Sequence, residues 1–163
     1  MRYHNITKDD MLNGEGLRVV LWTAGCSHGC QDCQNPLTWD PQGGILFDEA
    51  SKKEIFDQLE FTYIDGITFS GGDPLHANNI MEITKLAKEI RARYPDKTIW
   101  LYTGALWEEI ETEEVVRYVD VVVDGKFEVD KLDKNLNWRG SSNQRVINAI
   151  KTLRHGKIVL CDE

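Results

Sequence analysis

Several things are scarce in this chain, and each shortage excludes something. At 163 residues it falls short of the ~250 that a closed eight-fold β/α barrel typically needs, which leaves one domain of ordinary size. There is no basic excess: 19 Lys and Arg stand against 27 Asp and Glu, a net charge of −8. A general nucleic-acid binder needs a basic face to displace counterions from phosphates, so that class is set aside. Long apolar runs are missing too; the longest are strand-sized, and no membrane span or membrane partner is expected. Residues 1–10 carry no apolar signal core. Internal repeats, low-complexity tracts and linkers are also absent. Cysteines number only four, yet Cys26, Cys30 and Cys33 fall within eight residues. A disulfide framework would spread an even set through a small secreted chain. This bunching is instead expected of a cytoplasmic protein whose reduced thiols are gathered for a purpose.

What is present reads as a globular α/β domain. Hydrophobic residues make up 41% and charged residues 28%, enough apolar material for a core. Residues 17–24 form a β-branched and aromatic run expected to be a buried strand, followed by further strands over 66–70, 98–103 and 119–123. Between them lie helical patterns over 48–59, 78–94 and 106–117, with Thr112 a candidate cap inside the last. The β-α-β-α rhythm predicts a mostly parallel sheet with right-handed crossovers. After residue 125 the pattern loosens into polar turns, and residues 145–150 and 157–160 suggest one or two final short strands. The expectation is a single domain over 1–163.

In parallel α/β sheets, ligands collect at the C-terminal ends of the strands. The loops expected there are 25–39, 71–74, Gly104 and Asp124-Gly125, which should converge on one rim. The first reads Cys26-Ser27-His28-Gly29-Cys30-Gln31-Asp32-Cys33, a C-x3-C-x2-C pattern that lets one loop wrap three thiolates round a soft metal. A structural zinc site wants a fourth ligand, usually from a second pair, and none follows. The four-cysteine ferredoxin run is absent as well. Three thiolates without an evident fourth point to a 4Fe-4S cluster with one iron open. Two other readings stand beside it: a chance gathering, and a zinc site completed by His28 or Cys161. In Ser70-Gly71-Gly72-Asp73-Pro74, two glycines let backbone approach a ligand, and Asp73 with Pro74 is suited to start the next helix. A plain strand-to-helix turn would use the same residues.

The cysteine spacing resembles the radical S-adenosylmethionine superfamily, and residues 70–74 resemble its glycine-rich loop after the second strand. The resemblance narrows further. Asn13-Gly14-Glu15-Gly16-Leu17-Arg18, Cys26-Ser27-His28-Gly29-Cys30, Asn35-Pro36-Leu37-Thr38-Trp39, Ser70-Gly71-Gly72-Asp73-Pro74-Leu75, Val123-Asp124-Gly125-Lys126-Phe127 and Trp138-Arg139-Gly140-Ser141-Ser142-Asn143-Gln144 are similar to the activating proteins of anaerobic ribonucleoside-triphosphate reductases. The likeness runs from about residue 3 to residue 144, and the last stretch is the most family-specific. Two positions depart from the pattern. Glu15 stands where the family often has Pro, and Asp32 where much of the superfamily has an aromatic.

The resemblance implies an open, partial β/α barrel of radical S-adenosylmethionine type. It implies one 4Fe-4S cluster per chain, held by Cys26, Cys30 and Cys33, with S-adenosylmethionine as exchangeable ligand of the fourth iron. Ser70, Gly71, Gly72 and Asp73 would hold the methionine amino group, and the backbone of Asp32, Cys33 and Gln34 the adenine. Reductive cleavage would give a 5′-deoxyadenosyl radical that takes hydrogen from a glycine of the reductase large subunit, with reduced flavodoxin or a similar donor supplying the electron. No side chain is nominated as acid or base. His28 is read as tuning the cluster or shaping the loop. Thr103-Gly104 and Asp124 are read as cavity lining or turns, and residues 139–144 as a cluster of donors or a turn. His4, His76 and His155 are expected in surface or turn positions, Trp22, Trp100 and Trp107 in the core or an interface, and Cys161 as a bystander. The alternatives are a radical enzyme acting on another glycyl-radical enzyme or a small molecule, and a non-catalytic zinc or electron-transfer module.

Overall fold

The computed structural model describes residues 1–161. Among them, seven strands form one sheet: β1 (Arg2–Asp10), β2 (Arg18–Thr23), β3 (Ile45–Leu46), β4 (Gly66–Gly71), β5 (Thr98–Tyr102), β6 (Val121–Asp124) and β7 (Arg145–Asn148), in the order β3-β1-β2-β4-β5-β6-β7. The middle four, β2-β4-β5-β6, are parallel. The flanking pairs β1–β2, β1–β3 and β6–β7 are antiparallel. The helices are α1 (Glu49–Leu59), α2 (Ile80–Arg93), α3 (Trp107–Ile110) and α4 (Ala149–His155). None is long and apolar enough to cross a membrane.

Strand alternation sorts the two faces. Val19 and Leu21, Ile67 and Phe69, Ile99 and Leu101, and Val122 meet Ile55 and Leu59 of α1 and Ile83, Ala87 and Ile90 of α2 in one buried core. All four helices contribute to that core, so they cover one face of the sheet. The opposite face carries Trp100, Val121, Val123 and Val146, with Tyr102, Trp138 and Cys161 packed on them. Helix α1 starts where Asp48 accepts the Ser51 N–H at 2.9 Å and Ser51 Oγ reaches back to the Asp48 backbone, a reciprocal cap. The lower end of the sheet is tied by the fully buried Arg18. Its guanidinium donates to Thr68 Oγ1, Thr98 Oγ1 and the carbonyls of Glu15, Ile67 and Thr98 over 2.7–3.0 Å. It also stacks 5.5 Å from the Trp100 ring. Burial lowers its pKa to about 10, so it remains charged at neutral pH.

Several expectations are corrected. The sheet is mixed rather than mostly parallel throughout, because β1 and β7 run against their neighbours. Strand β1 and helix α4 were not anticipated. The expected helix over 106–117 is the short α3 followed by a 3-10 turn at Glu114–Arg117, whose N-cap is Glu113 and not Thr112. Asp73 does not start the next helix: α2 begins at Ile80 after Asn79, seven residues later. The 157–160 stretch contributes only a bridge from Leu160 to Ile147.

Candidate functional site

The helix-free face of the sheet walls a cavity of about 850 Å³ near the C-terminal ends of the parallel strands. The alternation that sends Leu21, Phe69 and Leu101 into the core turns Trp22, Ser70 and Tyr102 to this side, where all three line the cavity. Loop 25–39 adds Cys26, Cys30, Cys33 and Gln34. The turn after β4 adds Gly71 and Gly72, and the segment after β6 adds Gly125, Lys126, Phe127, Trp138, Arg139 and Gly140. The expected convergence of strand-end loops is therefore found.

The two central loops are interlocked through backbone. Gly72 N–H donates to Thr23 O at 2.9 Å, Asp73 N–H to Gly25 O at 2.7 Å, and Gly25 N–H to Thr38 O at 2.7 Å. A side chain at Gly72 would stand 2.5 Å from Gly25 O and 2.6 Å from Thr38 O, so only glycine lets these backbones meet. The opposite wall is fixed by Tyr102, whose hydroxyl donates to Trp138 O at 2.6 Å. Burial raises the Tyr102 pKa well above the ordinary phenol value, which keeps that donor protonated. Trp138 adopts a left-handed backbone, φ 62°, uncommon for a bulky residue. Its ring meets Trp100 edge-on at 5.2 Å.

Among the sequence-nominated residues, Cys26, Cys30, Cys33, Gln34, Ser70, Gly71 and Gly72 share the cavity wall. Asp32 is exposed, with φ 54°, and does not line it. Asp73 also lies off the wall: the residue is 3% exposed, and its carboxylate takes His28, Thr103 and Gly104. Thr103 and Gly104 do border the cavity. Asp124 does not. It is fully buried, accepting the Trp107 N–H at 2.8 Å and two hydrogen bonds from Arg145, which raise the Arg145 pKa together with Glu108. In the 139–144 stretch, most donors fold the loop itself. Gln144 Oε1 accepts from Gly140 and Ser141 N–H, its Nε2 donates to Gly125 O, and Asn143 donates to Lys126 O. Cys161 packs beneath Trp100 and Val146, away from the cavity lining. His4, expected at the surface, lines the cavity, as do Asn5 and Thr7. These were missed because β1 was not recognised. Trp22 and Tyr102 were accessible to strand parity alone.

The donor set fits a thiolate-bound iron–sulfur cluster. Three thiols, none in a disulfide, are half-buried on one wall, where soft metals prefer sulfur. Among the described residues no three His, Cys, Asp or Glu side chains are already drawn together to hold a metal. Burial raises the Cys26 pKa, and Asp73 adds to the effect; a bound cation reverses such a shift. Among the described residues lining the cavity, Lys126 and Lys134 stand beside one carboxylate, Asp133.

The comparisons agree with this chemistry. A family described as a 4Fe-4S single cluster domain matches residues 12–147. A protein of Enterobacteria phage T4 is 46% identical over 146 residues, 90% of this chain and 93% of its own length. One from Escherichia coli K12 is 44% identical over 150 residues, covering 90% and 97%. One from Pasteurella multocida is 39% identical over 150 residues, covering 88% and 95%. All three are named anaerobic ribonucleoside-triphosphate reductase-activating protein.

Proposed function

Because this chain belongs to the family of anaerobic ribonucleoside-triphosphate reductase-activating proteins, we propose that it is the radical S-adenosylmethionine activase of such a reductase. When bound and reduced, a 4Fe-4S cluster supplies the electron for cleaving S-adenosylmethionine, whose 5′-deoxyadenosyl radical takes hydrogen from a glycine of the reductase large subunit. The observation that carries the reading is the shared cavity wall: three cysteines of one loop and the Gly71-Gly72 turn, interlocked by backbone hydrogen bonds.

The chain's own residues have four tasks in this reading. Cys26, Cys30 and Cys33 hold three irons. Ser70, Gly71 and Gly72 present backbone to the amino group of S-adenosylmethionine, and the backbone of Cys33 and Gln34 takes the adenine, Asp32 and Asp73 lying off the cavity wall. Lys126 and Lys134 offset the ligand carboxylate. Trp22, Tyr102 and Trp138 form a rigid apolar wall that shields the reacting region. The sheet acts as an open, partial barrel, and its uncovered face admits the segment of the partner that carries the glycine. The chain works as a single domain in the cytoplasm, with reduced flavodoxin or a similar carrier as electron donor. The test is anaerobic reconstitution with iron and sulfide, then reduction in the presence of S-adenosylmethionine. Formation of 5′-deoxyadenosine is expected. A colourless zinc protein, or a cluster inert toward S-adenosylmethionine, would overturn the reading.

A further inference from the structure

We propose that His28 is a positioning residue: through Asp73 it latches the middle of the cysteine loop to the glycine loop, and so sets the spacing between cluster and S-adenosylmethionine. The inference rests on the function proposed above, but the latch itself is built from residues of this chain. His28 lies between two of the three cysteines, and its Nε2 stands 2.6 Å from Asp73 Oδ2. The same Oδ2 accepts from Thr103 Oγ1 and from the Gly104 N–H, each at 3.0 Å, while Oδ1 accepts the Leu75 N–H at 2.9 Å. A carboxylate surrounded by donors is acceptor-only, so His28 Nε2 carries the hydrogen. Asp73 is thus a buried junction of three strand-end segments: the cysteine loop, the glycine loop and the turn after β5.

Three further observations give His28 its place. Among the described residues, the imidazole makes the only hydrogen bond that ties residues 27–32 to anything outside loop 25–39. The loop's other anchors, Gly25 to Thr38 and Cys26 to Trp39, hold its ends. Gly104 also leaves room for the ring: a Cβ there would lie 2.4 Å from His28 Cδ2. The turn after β5 therefore supplies both an N–H for Asp73 and the space for His28. His28 also lines both the large cavity and a second one of about 330 Å³ beside α2 and α3. Without it, no hydrogen bond among the described residues ties residues 27–32 to the glycine loop.

The test uses His28→Ala, His28→Gln and Gly104→Ala. In the metal-free chain, amide hydrogen exchange at Cys26 and Cys33 is expected to speed up about tenfold in His28→Ala, the size of one lost charge-assisted hydrogen bond. Gln keeps an N–H donor at similar reach and should restore protection. Gly104→Ala displaces the ring without removing it and should behave like His28→Ala. After reconstitution, iron per chain should match the parent, while the KM for S-adenosylmethionine rises about tenfold and kcat changes by less than about threefold. His28→Gln should return KM toward the parent. Unchanged exchange and unchanged KM in both Ala variants would overturn the latch, as would equal loss of iron in His28→Ala and His28→Gln, which would make His28 a ligand. If the parent forms no 5′-deoxyadenosine, the proposed function falls, and exchange at Cys26 and Cys33 still decides the latch.

Discussion

Replacing Gly72 by Ala adds one methyl group at the closest approach of the two site loops. That carbon would stand 2.5 Å from Gly25 O and 2.6 Å from Thr38 O. Restoring an ordinary contact moves one backbone against the other by about 0.9 Å. Neither is free to move: Gly25 O holds the Asp73 N–H and Thr38 O the Gly25 N–H, both at 2.7 Å. Overpacking of this kind costs about 1–3 kcal/mol, and weakening one or two backbone hydrogen bonds adds about 1 kcal/mol each. The expected loss is about 3 kcal/mol, or about 9 °C in Tm for a chain of this size. Urea unfolding of the metal-free chain reads it, with iron loading as a second measure expected to fall. Gly29→Ala is the control. Its φ is +61°, but nothing lies within 4 Å of the added carbon, so only backbone strain of about 1 kcal/mol remains. Equal stability of Gly72→Ala and Gly29→Ala would refute the interlocking of the two loops.

Three further outcomes follow from the fold. Arg18→Met removes five hydrogen bonds from a fully buried position and should lower stability by about 3 kcal/mol, read by thermal unfolding, with iron per chain unchanged because Arg18 lies at the other end of β2 from the cysteine loop. Hydrogen bonds from Ser51 lower the Asp48 pKa, and hydrogen bonds from Arg145 lower that of Glu108. Their contribution is present above the ordinary carboxylate value and is lost as pH falls through the lowered ones. Tm should therefore drop below about pH 4, with a shallower slope in Asp48→Asn; identical slopes would contradict the assignment. Cys161→Ala should leave cluster loading at the parent value in an iron assay, since Cys161 packs on Trp100 and Val146 rather than on the cavity wall.

The four parallel strands were legible because each is a short apolar run closed by glycine or a turn, and their ends predicted where the site loops meet. β1 was hidden by its own irregularity. Tyr3 and Ile6 are both buried although an odd number of residues apart, because the register with β2 shifts between Tyr3 and Asn5, and no period of two survives in the sequence. Helix α4 buries Ala149 and Thr152 while Ile150 and Leu153 stay exposed, so its apolar pattern points the wrong way. The Asn148 cap and the left-handed Gly156 that bound it were the usable signal. The cysteine spacing and the glycine pair picked out Cys26, Cys30, Cys33, Gly71 and Gly72, which share one cavity wall. The role of Asp73 was not, since its partners Thr103 and Gly104 are 30 and 31 residues away. Asp124, read as cavity lining or a turn, was not legible as a buried ion-pair partner for the same reason: Arg145 lies on a strand that only the fold brings alongside.

Radical transfer to the reductase is read by mixing the reconstituted, reduced protein and S-adenosylmethionine with the large subunit of an anaerobic ribonucleoside-triphosphate reductase, and recording the electron paramagnetic resonance spectrum. An organic radical on a glycine of the large subunit is predicted, formed together with 5′-deoxyadenosine, abolished by Cys26→Ala, Cys30→Ala or Cys33→Ala and retained in Cys161→Ala. Formation of 5′-deoxyadenosine with no radical on the large subunit, or a radical that survives loss of any of the three loop cysteines, would contradict it.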